Sequence, residues 1–415
     1  MVNFEGNNQW GPKNYPADDI LSAELHQYAK ERLSVDQRLA RLKQKFNLDI
    51  GKRKLMNLNN KFKVPSPRKL PRKDVATQAV LEKVAQDSAQ RNGTGTIMTL
   101  LDNEGMDFVR QVLAKHVPEG LVLRFPGKRP GIKRSSLVAL GPNYQHHADG
   151  HDKLAPQGLA SLGGVGLPIY GIKDQWSSFI LHLVVVPNNR LATTIGHVHL
   201  DCVEKYEFIP ITFVMDKGSE TRYVFANQTG LREAYAQDID TEKYPPAYHL
   251  RSVHNTPIEG LWHWFTNVSG INAKDELLRG GTSGIYHPGN DLHINLFNWL
   301  WPQVLQKHLD NFTEYWNNHR IRYQADKPNA SGTTPRNAFT LPKSVAAGAE
   351  ECRIDVDRAV VDALRNEIPV SREDAMRFVD DDFAARALAI YEAIGSPNLS
   401  FETGWAVFSS MLTQL

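Results

Sequence analysis

Two cysteines, Cys202 and Cys352, are all that the 415 residues contain. Their scarcity and wide separation exclude a disulfide framework and a cysteine-rich zinc site, and they fit a reducing, intracellular compartment. Long apolar runs are missing as well. No stretch approaches the roughly 18 residues of a membrane-spanning helix, and mean hydropathy is −0.42, so a membrane partner is not expected. The opening MVNFEGNNQWGPKNYPADD has neither a basic flank nor an apolar core, and no secretory signal is expected there. An excess of one charge sign is also absent from the whole, with 48 Lys and Arg against 46 Asp and Glu. There is no internal repeat. The length leaves room for two to four domains and at least one sizeable core.

The charge is balanced overall but not locally. Between Lys30 and Asp74 stand fifteen Lys and Arg against four acids, so the remainder of the chain is net acidic. A basic block of this kind points to a polyanion, with DNA the expected partner, or else to a solvated helical face with a charged linker. Within it, Leu39, Leu42 and Phe46 fall on one face of SVDQRLARLKQKF, a helix that Ser34 can cap. After the break NLDIG, KRKLMNLNNKF sets Leu55, Leu58 and Phe62 on one face. Lys52, Arg53, Lys54, Asn57 and Lys61 lie elsewhere on it. Two amphipathic helices joined by a short turn, the second rich in Lys and Asn, make a helix-turn-helix pattern, and equally an ordinary helical hairpin. VPSPRKLPRK, containing Arg68 and Lys69, reads as an extended basic linker.

The reading divides the chain into four regions. Residues 1–74 are the basic helix-turn-helix-like region and its linker, starting irregularly up to about residue 30. Residues 75–135 are a second small helical region. From about residue 140 the period changes to strands, at 167–175, 178–188 and 209–216, interleaved with helices at 191–206 and from 220 on, an α/β arrangement. The long segment LFNWLWPQVLQKHLDNFTEYW is helical, with Pro302 as a kink or restart, and residues 341–415 form a helical C-terminal extension.

Four acids stand where packing does not call for them: Asp149 in HHADGHDKL, Asp174 at the end of a strand, Asp216 at the end of FVMD, and Glu259 in HNTPIEGLWHWF. Acids at strand ends are held in place and wet, and three that converge can hold two Mg²⁺ ions about 3.5–4 Å apart. Each also has a plainer reading. Asp149, Asp174 and Asp216 have turn chemistry around them. Glu259 completes a capping box with Thr256 as N-cap and Pro257 at the first helical position. His146, His147, His151, His197 and His199 lack the spacing of a zinc site.

Taken together, HHADGHDKL, GIKDQWSS, FVMDKGSE, SVHNTPIEGLW and YWNNHRIR, in that order, resemble the integrase core domain of retroviral integrases and DDE transposases. They are most like the integrase-core-like proteins of fungi and some animals. The resemblance covers roughly residues 140–340. It implies a ribonuclease-H-like fold, a five-stranded mixed sheet flanked by helices. The first acid would sit on strand one, the second at the end of strand four and the third on the following helix. It implies a catalytic and metal-binding triad of Asp149, Asp216 and Glu259 using Mg²⁺ or Mn²⁺, with Asp174 a secondary candidate beside it and Asn255 facing DNA one turn before Glu259. Lys153, His151 and Lys217 are placed to meet phosphate. The activity implied is phosphodiester hydrolysis and strand transfer by a homo-oligomer on DNA, in the nucleus if the host is eukaryotic. The alternative is a domesticated, catalytically inactive DNA-binding protein. The chain departs from the pattern at Gly260, where many relatives carry Arg.

Overall fold

Ser34 opens the helix that its sequence announces. In the computed structural model, which describes residues 14–65, 73–87, 91–101, 106–117, 139–250, 255–324 and 329–415, the Ser34 hydroxyl accepts from the Gln37 N–H, and the Gln37 side chain accepts from the Ser34 N–H. This reciprocal cap satisfies two otherwise orphaned donors and starts α2 (Val35–Phe46). α3 (Lys52–Lys61) follows the break and buries Leu55 and Leu58. The irregular start expected before residue 30 is corrected by α1 (Asp18–Lys30). Its polar composition conceals a stripe at i, i+4 and i+7, Leu21, Leu25 and Tyr28, which is buried. Lys52, Arg53, Lys54, Asn57 and Lys61 are all exposed on α3, while Arg68 and Lys69 lie outside the described residues.

The core of α1–α3 also contains an ion pair. Arg41 donates to Glu31 at 2.6 Å, and both side chains are buried. Such a pair adds little over an apolar substitute, but breaking it strands a charge. Glu31→Gln is therefore expected to destabilise the three helices by about 3–5 kcal/mol, read as faster hydrogen exchange at the Leu42 amide. α4 (Lys73–Ala85), α5 (Thr94–Leu100) and α6 (Met106–His116) enclose a second cluster containing Val80, Ile97, Val109 and Leu113. These six helices fall in one unit, Met1–Gln86 with Asn92–Lys128. Asp87–Arg91 with Arg129–Leu415 makes the other.

In the second unit the described residues form a mixed five-stranded sheet, ordered β3-β2-β1-β5-β6. The strands are β1 (Gln145–His151), β2 (Ile169–Asp174), β3 (Ile180–Val185), β5 (Thr212–Asp216) and β6 (Ala247–Leu250). β1–β2 and β2–β3 are antiparallel; β1–β5 and β5–β6 are parallel. This is the ribonuclease-H-like arrangement that the resemblance implies. On β2 the residues alternate between two cores as the pleat requires, Ile169 facing one and Tyr170 and Ile172 the other. On β3, Ile180, Leu183 and Val185 face the first and Leu181 the second, because the register shifts opposite Ile172 and Lys173 and interrupts the alternation at Leu181. The second core is covered by α7 (Ala192–Tyr206) and α8 (Arg222–Tyr235). The first is covered by α9 (Thr256–Phe265), α10 (Ile271–Thr282) and α11 (Asp291–Asn318).

α11 is one helix of 28 residues that runs through Pro302 rather than restarting there. Leu296, Phe297 and Leu300 before the proline and Val304, Leu305 and Leu309 after it belong to the same buried cluster, so packing on both sides outweighs the lost hydrogen bond. After α12 (Pro335–Thr340) and α13 (Arg358–Asn366), the C-terminal helices α14 (Asp381–Ala393) and α15 (Gly404–Leu412) send Phe383, Ala387, Trp405, Phe408 and Met411 into that cluster. The tail is not wholly helical: β7 (Ile354–Asp355) pairs with β4 (Phe208–Ile209). No helix among the described residues is long and apolar enough to cross a membrane.

Candidate functional site

β1 reads QHHADGH, with no apolar alternation to announce a strand. It is a strand because its polar side chains are provided for inside the sheet. His146 meets Asn143 at 2.8 Å. His147 meets Asn255 at 2.7 Å and the Gln175 amide at 3.1 Å. Burial holds both rings neutral, lowering His146 to about 3 and His147 in the same direction. Asp149 lies within β1, opposite Gly171 of β2, on the first strand as the resemblance implies.

The parallel pairing of β1 with β5 brings the first two acids to one level. Gln145 pairs with Thr212, His146 with Phe213 and His147 with Val214. Carried two residues further, the same register sets Asp149 beside Asp216, on strands about 4.8 Å apart. The ladder stops before that point, and Asn255 enters where it opens. The Asn255 amide donates to the Ala148 carbonyl at 3.2 Å and to Asp216 Oδ1 at 3.1 Å, while its oxygen meets His147.

Asn255 is also the N-cap residue of α9, the helix that carries Glu259. The capping box expected from Thr256 is not formed. Thr256 is already helical, and the cap makes no side-chain hydrogen bond to the helix, because the Asn255 amide is spent on the sheet. Its full burial also corrects the expectation that Asn255 faces DNA. It ties the start of α9 to β1 and β5 and so sets where Glu259 stands. A second tie is Lys173 of β2, whose ammonium donates to the Pro257 carbonyl at 2.9 Å and lies 5.3 Å over the Trp316 ring. His254 lies outside the described residues.

Asp149 is held on both oxygens. Oδ1 accepts from the Gly150 N–H at 2.8 Å, and Oδ2 from Trp262 Nε1 at 3.0 Å. The indole reaches it because Gly171, directly opposite, has no side chain. A Cβ there would come within 2.8 Å of the Trp262 ring. His151 stacks on that ring, at 4.8 Å. Burial is the largest cause that raises the Asp149 carboxyl, followed by the charge of Asp216. Glu259 adds to the rise, and the two N–H donors oppose it; the balance is about 7. Glu259 itself is exposed on α9. The three acids, from β1, β5 and α9, therefore lie in one another's field. Trp262→Phe, which removes one donor and keeps the apolar ring, is expected to push the Asp149 titration higher still, a change readable by carbon-13 NMR of labelled aspartate.

Asp174 has a different role from these three. It is fully buried and accepts from the Asn143 N–H and from both the N–H and hydroxyl of Ser177. Burial outweighs those bonds and lifts it to about 6. It fixes the β2–β3 turn and the entry to β1. Of the phosphate-contact candidates, Lys153 and Lys217 are exposed, whereas His151 is buried and lowered to about 4 by desolvation, so it stacks as a neutral ring. Among the described residues no group of three His, Cys, Asp or Glu converges in a metal-holding arrangement. Sequence reasoning missed Trp262, Gly171, Lys173 and His147, the residues that position the acids. The sole local hint was Trp262 in IEGLW, one turn after Glu259.

Compared with known families, residues 138–340 match the model described as integrase core domain. No curated protein matches the chain.

Proposed function

The chain carries an integrase core domain over residues 138–340, and from that premise we propose that it acts on DNA by divalent-metal-dependent phosphodiester hydrolysis and strand transfer. Asp149, Asp216 and Glu259 are the carboxylates of this site. The observation that carries the reading is the Asp149 carboxyl, lifted to about 7 by burial and by the charges of Asp216 and Glu259. Like charges gathered in a partly desolvated place are relieved by a cation. Carboxylate oxygens are the hard donors that Mg²⁺ and Mn²⁺ prefer, so the donor set fits such an ion. Bound there, the metal supplies Lewis acidity that activates water or a 3′-hydroxyl and neutralises the leaving oxygen.

The protein's own residues do the rest. Asn255 orients one oxygen of Asp216, and Trp262 orients one oxygen of Asp149. Lys173 and Asn255 hold the start of α9, so Glu259 approaches from a fixed direction. With its carboxyl raised to about 7, Asp149 keeps a proton near neutral pH that a cation held there would have to replace, so metal uptake would favour alkaline conditions. Lys153 and Lys217 contact phosphate. Lys52, Arg53, Lys54, Asn57 and Lys61 of α3, with Arg68 and Lys69, grip the duplex. The protein works as a homo-oligomer on DNA, in the nucleus if the host is eukaryotic and otherwise inside the cell.

The second reading, a DNA-binding protein without strand transfer, is favoured by the two N–H groups already on Asp149 and by the lack of a converged ligand trio among the described residues. A cleavage assay with Mg²⁺ or Mn²⁺ separates the two. Under the first, the wild type nicks DNA carrying its element end, and Glu259→Gln lowers the rate by at least about a hundredfold. DNA binding without any cleavage by the wild type leaves the second reading standing.

A further inference from the structure

Trp264 is 46% exposed, whereas Trp262, two residues earlier on α9, is 5% exposed. Trp264 packs edge-on against Trp316, with ring centres 6.2 Å apart, and lies tilted beside His319 at 6.3 Å. His319 in turn rests on Trp316 at 4.8 Å. The indole is thus braced from below, with nearly half of the residue left in solvent. From His319 the chain continues Arg320-Ile321-Arg322-Tyr323, with Arg320 and Arg322 exposed and Tyr323 71% exposed. This stretch is held in place. The Ile321 N–H donates to the Thr333 carbonyl at 2.9 Å, and the Gly332 N–H to the Ile321 carbonyl at 3.1 Å. It contains no acid, and Glu314, earlier on α11, is paired with Arg336.

Exposed aromatic rings interleaved with arginines suit one partner in particular, a nucleic acid whose bases are unpaired. Paired bases are already stacked on both faces. The position on α9 agrees with this. At about 100° per residue, Trp264 lies roughly 140° around the helix from Glu259, and Gly260 falls between them on the exposed arc. A Cβ at Gly260 would meet nothing within 4 Å, so the helix is low and open where a strand would cross.

We propose that Trp264, braced by His319 and flanked by Arg320, is a stacking platform for an unpaired base of the DNA strand engaged at the carboxylates, the strand passing over α9 at Gly260. The proposal rests on the DNA-acting reading above, and it adds that the preferred substrate has a single-stranded segment beside the reacting phosphodiester. Arg320 and Arg322 meet the backbone of that segment, and the indole takes the base.

The test uses the full chain and two labelled DNAs of the same sequence, a blunt duplex and one with a short single-stranded extension containing 2-aminopurine. Wild type is expected to bind the extended DNA more tightly and to quench 2-aminopurine. Trp264→Ala should weaken extended DNA roughly tenfold, leave the blunt duplex within twofold, and abolish the quench. Trp264→Phe should restore most of the preference. Arg320→Ala should weaken both DNAs and reduce the salt dependence. If wild type binds both DNAs and Trp264→Ala leaves their ratio unchanged, or weakens both equally, the platform is overturned while the DNA-acting reading stands. If wild type binds neither, that reading falls and the platform with it.

Discussion

Asp149→Asn is expected to make the metal-free protein more stable at pH 8, although it removes a residue of the proposed reaction site. The native carboxyl titrates near 7, against about 3.9 for an unstructured aspartate. Between those values the folded state holds more protons than the unfolded one, so stability falls as pH rises through the window. Above pH 7 the full difference between the two titrations costs at most about 4 kcal/mol. Asparagine removes the charge but offers one acceptor where the carboxylate offered two. Either the Gly150 or the Trp262 N–H then loses its partner, at a cost of about 1–1.5 kcal/mol. The net gain at pH 8 is about 2–3 kcal/mol by that balance. Below about pH 3, where Asp149 is protonated in both states, the sign reverses and only the lost hydrogen bond remains.

The measurement is urea unfolding followed by tryptophan fluorescence. Seven of the eight tryptophans lie in the second unit, only Trp10 being outside it, so this signal reports on the unit that carries the acids. Mg²⁺ adds a second readout. A cation that binds only the folded state stabilises it by mass action, and the wild type should gain from millimolar Mg²⁺ at pH 8 where Asp149→Asn gains little. A wild type whose stability is flat from pH 4 to pH 8, and equal to that of the variant, would show that the three acids do not share a field.

What the sequence made legible follows from where the information is local. The Ser34 cap and the α2 and α3 stripes were readable because spacing within twelve residues decides them. The order of acidic motifs was readable as a resemblance, and it led to the five-stranded sheet with Asp149 on β1, Asp216 at the end of β5 and Glu259 on α9. β1 was not readable from its own residues. QHHADGH becomes a strand only when the neighbouring Asn143 and two residues from elsewhere in the chain, Gln175 and Asn255, meet its histidines. Asn255 shows the same limit more sharply. Its neighbours Thr256 and Pro257 spell a helix start, and a cap there normally turns its side chain to the helix. Here a gap between two parallel strands, visible only once β1 and β5 are registered, draws the amide inward. Gly171 carries no signal at all in the sequence, since its smallness matters only to an indole ninety-one residues away.

Replacing Lys52, Arg53, Lys54 and Lys61 together with alanine is expected to cut DNA affinity more deeply than any single change at the acids. All four are exposed on α3, in the middle of the basic block. Two of them pair with acids, Lys52 with Asp36 at 2.8 Å and Lys61 with Asp18 at 2.6 Å, and Lys54 lies 5.5 Å over the Tyr15 ring. Exposed pairs of this kind contribute about 0–1 kcal/mol, so a phosphate can displace the acid at small cost. Each cation that neutralises a phosphate releases counterions and steepens the dependence of affinity on salt by about 0.9 in the log–log slope. Four removed together should lower that slope by between three and four. The helices should survive, because Leu55 and Leu58, which anchor α3, are untouched and alanine favours helix. Anisotropy titrations of a duplex from 50 to 200 mM salt read the slope directly, and circular dichroism checks the fold. If α3 is an ordinary helical hairpin, the slope will not change. If the helix-turn-helix reading is right, the slope will flatten and Asn57→Ala, which removes no charge, will alter preference among sequences while leaving the slope as it was.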